Sequence, residues 1–277
     1  MQSKFLNPKN DVAFKKIFGS KDHKDLLIDF LNGVLDLTGD EIIEQVDFLN
    51  PIQAPKTFGA KQSIVDILCK DARNIRYIVE MQISHVPGFD KRAQYYAAKT
   101  YTGQLERAEQ YPKLNQVIFL AIADHILFPD KEDYKSDHLI LDTQSYEHDL
   151  KDFSFTFIEL PKFNKQEHEL KTIEEKWIYF LRHADKDIEI PRIFQGTPIE
   201  EAYHTLERYT WSDAEILAYE DAALAVVDNE NALEVTHQKG KIEGKIEVAK
   251  NLLKQGIDPS IIMTATDLSL EEIRNLK

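Results

Sequence analysis

The sequence predicts an α/β fold: a mixed sheet flanked by helices, followed by an all-helical C-terminal region. Strand-like runs rich in β-branched and apolar residues occupy 63–69, 75–83, 116–123 and 153–160. A long helical pattern runs from Asp90 to about Gln110, between the second and third of these runs. After Pro161 the strand signal stops, and only helical periodicity remains.

Taken in order, apolar residues at helical spacing predict helices over 10–18 and 22–35, with Gly19 and Gly33 as breaks. The cluster Lys70-Asp71-Ala72-Arg73-Asn74 is turn-forming, so the runs on either side of it are expected to form a hairpin. The helix after the hairpin has the length of a crossover, which lets the third strand join in parallel. A domain boundary is expected near residue 165. The predicted organisation is 1–165 for the α/β domain, 166–233 for a helical region, and 234–277 for a charged helix and a tail. Within these, helices are expected over 167–184, 198–209 and 212–229, then over 234–254 with interruptions at Gly240 and Gly244. Each glycine costs a helix about 1 kcal/mol against alanine, so this last helix reads as mobile or partner-supported. In the tail, Asp258-Pro259 fits an N-cap and Ser269 with Glu272 fits a capping box, giving a helix, a turn and a second helix. That arrangement fits half of a DNA-reading motif or, equally, a docking or homo-oligomerisation tail, since Arg274 and Lys277 are the bases of its second helix.

Composition narrows the chemistry. The single cysteine, Cys69, excludes an internal disulfide and any cysteine cluster for zinc, so a metal site must be built from oxygen or histidine donors. The nine histidines show no metal-ligand spacing. No apolar run approaches the roughly 18 residues of a membrane span, and the opening residues lack an apolar signal stretch, so a cytoplasmic protein without a membrane partner is expected. The net charge of −14 argues against a nucleic-acid partner, but its distribution does not. Segments 124–160 and 199–235 carry net −7 and −9, leaving the rest of the chain slightly basic.

Asp66 interrupts the apolar run Ile64-Val65-Asp66-Ile67-Leu68, and Glu80 interrupts Ile78-Val79-Glu80-Met81. An ionised carboxylate removed from water costs several kcal/mol unless paired or metal-bound, so two such interruptions in neighbouring strands call for a shared explanation. A divalent cation supplies one; the alternative is a pair of salt-bridged or edge-exposed acids. Side-chain alternation puts Glu80 and Gln82 on one face. A three-residue loop, with Asp71 opposite Ile75, sets Asp66 across from Glu80. A five-residue loop, with Lys70 opposite Arg76, is expected to set the two diagonally. The metal reading therefore requires an odd loop or a bulge. An oxygen-rich site of this kind suits Mg²⁺ or Mn²⁺ and phosphodiester hydrolysis.

Asp66, a gap of thirteen residues and Glu80-Met81-Gln82 resemble the PD-(D/E)XK nuclease signature, with glutamine where lysine is usual. The opening Asn10-Asp11-Val12-Ala13-Phe14-Lys15, the helix from Arg92 through Tyr95, Tyr96, Lys99 and Tyr101 to Leu105, and the tail 257–276 resemble the recombination-promoting nuclease and transposase-like family of that superfamily. The resemblance implies a restriction-endonuclease-like fold and a metal-dependent DNA endonuclease tied to recombination or transposition. Asp66 and Glu80 would ligate the metal, and Gln82 would stand where lysine polarises the attacking water. A lysine from elsewhere, Lys99 or Lys15, is a candidate to restore the missing charge and to contact phosphate. Asp11 is a candidate third carboxylate, or simply an acid at a helix N-terminus. Tyr95 with Tyr96 and Tyr101 fits base stacking, although core packing of that helix is the expected role. The second functional reading is a non-catalytic DNA-binding or oligomeric accessory protein on the same scaffold.

Overall fold

The computed structural model describes residues 3–53, 63–105 and 110–276. Its first helix, α1 (Asp11–Phe18), starts where the Asn10 side chain accepts the Val12 N–H, and it buries Ala13, Phe14, Ile17 and Phe18. A short turn leads to α2 (Lys24–Val34), which buries Leu26, Leu27, Phe30, Leu31 and Val34. Gly19 caps α1 as its sequence position implied, whereas Gly33 lies inside α2 and does not end it.

The strands β1 (Val46–Phe48), β2 (Ile52–Gln53), β3 (Ser63–Ile64), β4 (Ile67–Asp71) and β5 (Arg76–Gln82) follow. After them come α3 (Phe89–Thr102), β6 (Val117–Ala123), β7 (Lys135–Leu139) and β8 (Phe153–Glu159). Six strands form one sheet in the order β1-β4-β5-β6-β8-β7; β2 and β3 pair apart from it. The pairs β4–β5 and β7–β8 are antiparallel, while β5–β6 and β6–β8 are parallel, so the mixed sheet and the parallel crossover through α3 are as expected. Every residue of β6 is buried, in keeping with a central strand covered on both faces.

Two differences from the sequence reading matter. The run 63–69 is two short strands, because the ladder lapses at Val65 and Asp66. The crossover helix ends at Thr102, where the Gly103 N–H turns back to Lys99 and Tyr101, and not near Gln110; residues 106–109 lie outside those described. Strands β1 and β7 had no sequence signal. Both are edge strands, short or polar, as edges commonly are.

One sheet face carries Cys69, Tyr77, Val79, Met81, Leu120 and Ile122 against α1, α2 and two later helices, α4 (Ile173–His183) and α5 (Pro198–Thr205). The other carries Leu68, Ile78, Phe119, Ala121 and Phe157 against Phe89, Ala93 and Ala97 of α3. The helices beyond residue 165 thus share the sheet's core. α4 starts at Ile173 because Thr172 and Glu175 close a capping box there. Beyond α5, α6 (Asp213–Lys254) is continuous through Gly240 and Gly244, correcting the expected break near 230. No proline intervenes, and the Ala, Leu, Lys and Glu around the glycines sustain the helix. The chain divides into two units, Met1–Ala223 and Leu224–Lys277. No helix among the described residues is long and apolar enough to cross a membrane.

Phe18 ties the helical layer together: its ring lies 4.6 Å from Phe30 and 5.4 Å from Trp177, and it is fully buried. Phe18→Ala should lower unfolding free energy by about 3–5 kcal/mol, read as a shift of the urea midpoint at unchanged slope. A loss below about 1 kcal/mol would show that the aromatic cluster does not hold α1, α2 and α4 together.

Candidate active site

The hairpin that brings the two carboxylates together is shaped by Asp71. Its carboxylate accepts the N–H groups of Arg73 and Ile75 and the Arg73 Nε–H at 2.7 Å, which closes a tight loop with Asn74 in the left-handed region. Lys70 faces Arg76 and Ile67 faces Val79, so the register continues with Asp66 across from Glu80. The pairings of Lys70 with Arg76 and Asp71 with Ile75 belong to one register. The diagonal placement expected for the former is therefore corrected to a direct one. The odd loop that a shared site requires is present.

Where the ladder lapses, the side chains take it over. The Asp66 N–H donates to Glu80 Oε1 at 3.2 Å, and the Met81 N–H donates to Asp66 Oδ2 at 2.9 Å. Glu80 is 3% exposed, while the Asp66 side chain retains an opening to solvent. Burial first, and then the neighbouring Asp66, push the Glu80 carboxyl up to about 8. Burial likewise raises Asp66, against the pull of the Met81 N–H and Lys15. Gln82 follows two residues after Glu80 on the same strand face and donates from Nε2 to Glu80 Oε2 at 3.2 Å and to the Met81 carbonyl at 3.1 Å.

Lys15, one helix turn after Asp11, sits 2.6 Å from the Asp11 carboxylate and 3.6 Å from Asp66. Burial works against its charge, but the hydrogen bond to Asp11 and the fields of both acids hold its pKa above the ordinary range. Arg92, in the first turn of α3, donates to Gln82 Oε1 at 2.7 Å and stands 3.9 Å from Glu80 Oε2. This arginine was not singled out from the sequence. The readable signal was its spacing: Arg92, Tyr95, Tyr96 and Lys99 share one face of a helix that begins seven residues after β5. Gly88, at φ 74°, makes the turn that aims this face.

A family model for PD-(D/E)XK nuclease family transposases matches residues 8–236. The chain belongs to this family. A second model, the C-terminal HTH domain of the Rpn/YhgA-like nuclease family, matches residues 243–277. No curated protein and no solved structure gave a significant match. The six-stranded mixed sheet with helices on both faces is the restriction-endonuclease-like fold of the PD-(D/E)XK family.

Within this family fold the donor set bears on metal binding. Two hard carboxylates face each other across a strand pair, both raised by burial and so unfavourable as a bare pair of anions. This fits a small divalent cation that takes one or two carboxylates and keeps its waters. Among the described residues no cluster of three or more His, Cys, Asp or Glu side chains is arranged to hold a metal. Asp11 instead occupies the first turn of α1 and pairs with Lys15.

The residues predicted to meet phosphate come from both covering layers, Lys15 from α1 and Lys99 and Tyr95 from α3. Lys99 donates to Ser63 Oγ at 3.2 Å, next to the lapse in the ladder. Tyr95 is half exposed, which corrects the core role expected for it. The buried face of α3 is Phe89, Ala93, Ala97 and Thr100, and its two alanines are small enough to bring the helix close to the sheet. Tyr101 does pack, with its ring 4.8 Å from Phe153 and its hydroxyl on Asp152.

In the Leu224–Lys277 unit, α7 (Pro259–Thr266) and α8 (Leu270–Arg274) fold with the end of α6 around Ala249, Ile262, Leu268 and Ile273. The Asp258 cap and the Ser269–Glu272 capping box are both present.

The folded chain holds the Glu80 proton to about pH 8, whereas the ordinary value for a glutamic acid is 4.5. The native state therefore binds more protons between these values, and Glu80 withdraws stability as pH rises through that window. Glu80→Gln should stabilise the fold in EDTA at about pH 8 by on the order of 1 kcal/mol, read as a rise in Tm of about 2–4 °C, with little gain near pH 5. An equal shift at both pH values would show that the carboxyl is not strained by burial.

Proposed function

We propose that this protein is a divalent-metal-dependent DNA endonuclease that hydrolyses phosphodiester bonds in DNA recombination or transposition, with Mg²⁺ or Mn²⁺ held by Asp66 and Glu80. The observation that carries the reading is the direct apposition of these two buried carboxylates, with Gln82 bonded to Glu80 from the same strand face. When bound, the ion supplies positive charge to the phosphate oxygens and makes hydroxide available at neutral pH.

The chain's own groups divide the remaining work. Gln82 presents its amide N–H toward Glu80 because Arg92 holds the amide oxygen, so the amide has one orientation. The neutral amide cannot carry the charge of the usual lysine, and the Arg92 guanidinium beside Glu80 supplies it. The Arg92 Nε–H is buried and has no partner among the described residues, leaving a donor for a phosphate oxygen. Lys15 offsets Asp66 and Asp11, Lys99 beside Ser63 meets the phosphate backbone, and Tyr95 offers a stacking surface. The HTH unit adds a second DNA contact.

A non-catalytic DNA-binding role on the same scaffold is the second reading. Gln82 in the lysine position and the net charge of −14 favour it.

Supercoiled plasmid incubated with Mg²⁺, Mn²⁺ or EDTA tests the proposal, with Asp66→Ala protein prepared identically. Metal-dependent nicking is expected, abolished by Asp66→Ala and reduced about 10²–10³-fold by Arg92→Gln, with Arg92→Lys in between. Absence of nicking with either metal, or nicking equal in Asp66→Ala, moves the assignment to the accessory protein.

A further inference from the structure

Within the Leu224–Lys277 unit, the first part of α6 carries apolar side chains that the described residues leave uncovered. Leu224, Val227, Val235 and Ile242 are each about half exposed or more. On a helix they form one stripe with Asn231 and Gln238, at successive steps of three, four, four, three and four residues. The stripe repeats every eleven residues, Leu224, Val235 and Ile246, a period that keeps it on one side of a nearly straight helix. Gly240 and Gly244, with open space around them, fall on the opposite face.

Four of the six stripe positions mirror one another about a midpoint between Glu234 and Val235. Val227 and Ile242 are equidistant from that midpoint, and so are the two polar members, Asn231 and Gln238. Charge reverses across it. Residues 224–234 hold Asp228, Glu230 and Glu234 with no Lys or Arg; residues 235–245 hold Lys239, Lys241 and Lys245 against Glu243. Asp228 and Lys239 flank the stripe on one edge, and Glu230 and Lys241 on the other.

We infer that segment 224–242 pairs antiparallel with the same segment of a second copy of this chain. In a two-fold pair each position meets its mirror position, so Val227 packs on Ile242 and Asn231 meets Gln238. In antiparallel packing each edge meets its own counterpart. Asp228 then faces Lys239 of the other copy on one side, and Glu230 faces Lys241 on the other, each pair two residues off mirror level and within reach of the long side chains. A parallel pair would set the acidic halves side by side and the basic halves likewise. The inference is independent of the nuclease reading, because it uses no residue of the active site.

The test uses the full chain in low salt, where exposed charges are least screened. Sedimentation equilibrium should show a dimer. Lys239→Glu with Lys241→Glu should raise the dissociation constant at least tenfold at unchanged helix content, and adding Asp228→Lys and Glu230→Lys should restore it. Orientation is read by oxidative cross-linking, with the buried Cys69 as the internal control. Val227→Cys protein mixed with Ile242→Cys protein should cross-link, while neither should cross-link to itself. A monomer at all concentrations, a dimer indifferent to the charge reversals, a quadruple variant that stays weak, or Val227→Cys joined to itself would each overturn the proposal.

Discussion

Two backbone N–H groups, those of Asp66 and Met81, donate across the β4–β5 boundary to the carboxylates of Glu80 and Asp66. In an uninterrupted hairpin these donors would bond to carbonyls, and the strand from Ser63 would run on unbroken. The exchange ends the ladder at Asp66 and fixes two acids in a place where water is largely excluded. A buried N–H needs a partner and a buried carboxylate needs donors, so each group satisfies the other. The site's geometry and the sheet's edge therefore have the same cause.

Around this exchange both covering layers contribute positive charge. From the helical face, α1 brings Lys15 to Asp66. From the other face, α3 brings Arg92 to Gln82 and Glu80, and its close approach depends on Ala93 and Ala97. Both cations come from helices, and both carboxylates from the strand pair those helices cover. An acidic chain can thus keep a locally balanced site while its excess acid lies in 124–160 and 199–235.

Much of the fold was legible because hydrophobic periodicity records burial. The residues of β5, β6 and β8 are apolar enough to identify central strands, and α1 and α2 show their buried faces directly. The edge strands β1 and β7 were not legible, since an edge is stabilised by its one neighbour and needs little apolar content of its own. The extent of α6 was misread because Gly240 and Gly244 weaken a helix only modestly, and nothing else there stops it. Of the tyrosines of α3, Tyr95 misled for a related reason. A helix packed tightly on a sheet uses alanine at the contact and sends larger rings outward.

By itself the sequence determined that Glu80 and Gln82 share a face and that Asp66 and Glu80 break apolar runs, because alternation along a strand is a local property of the backbone. It also determined the capped helices of the tail, since capping is written within a few residues. Tertiary structure alone decided that Asp66 sits outside the ladder, that Arg92 and not a lysine stands beside Gln82, and that Lys15 lies between Asp11 and Asp66. Those placements depend on how α1 and α3 dock on opposite faces of the sheet. Docking is set by the summed packing of many side chains, and no local pattern records it.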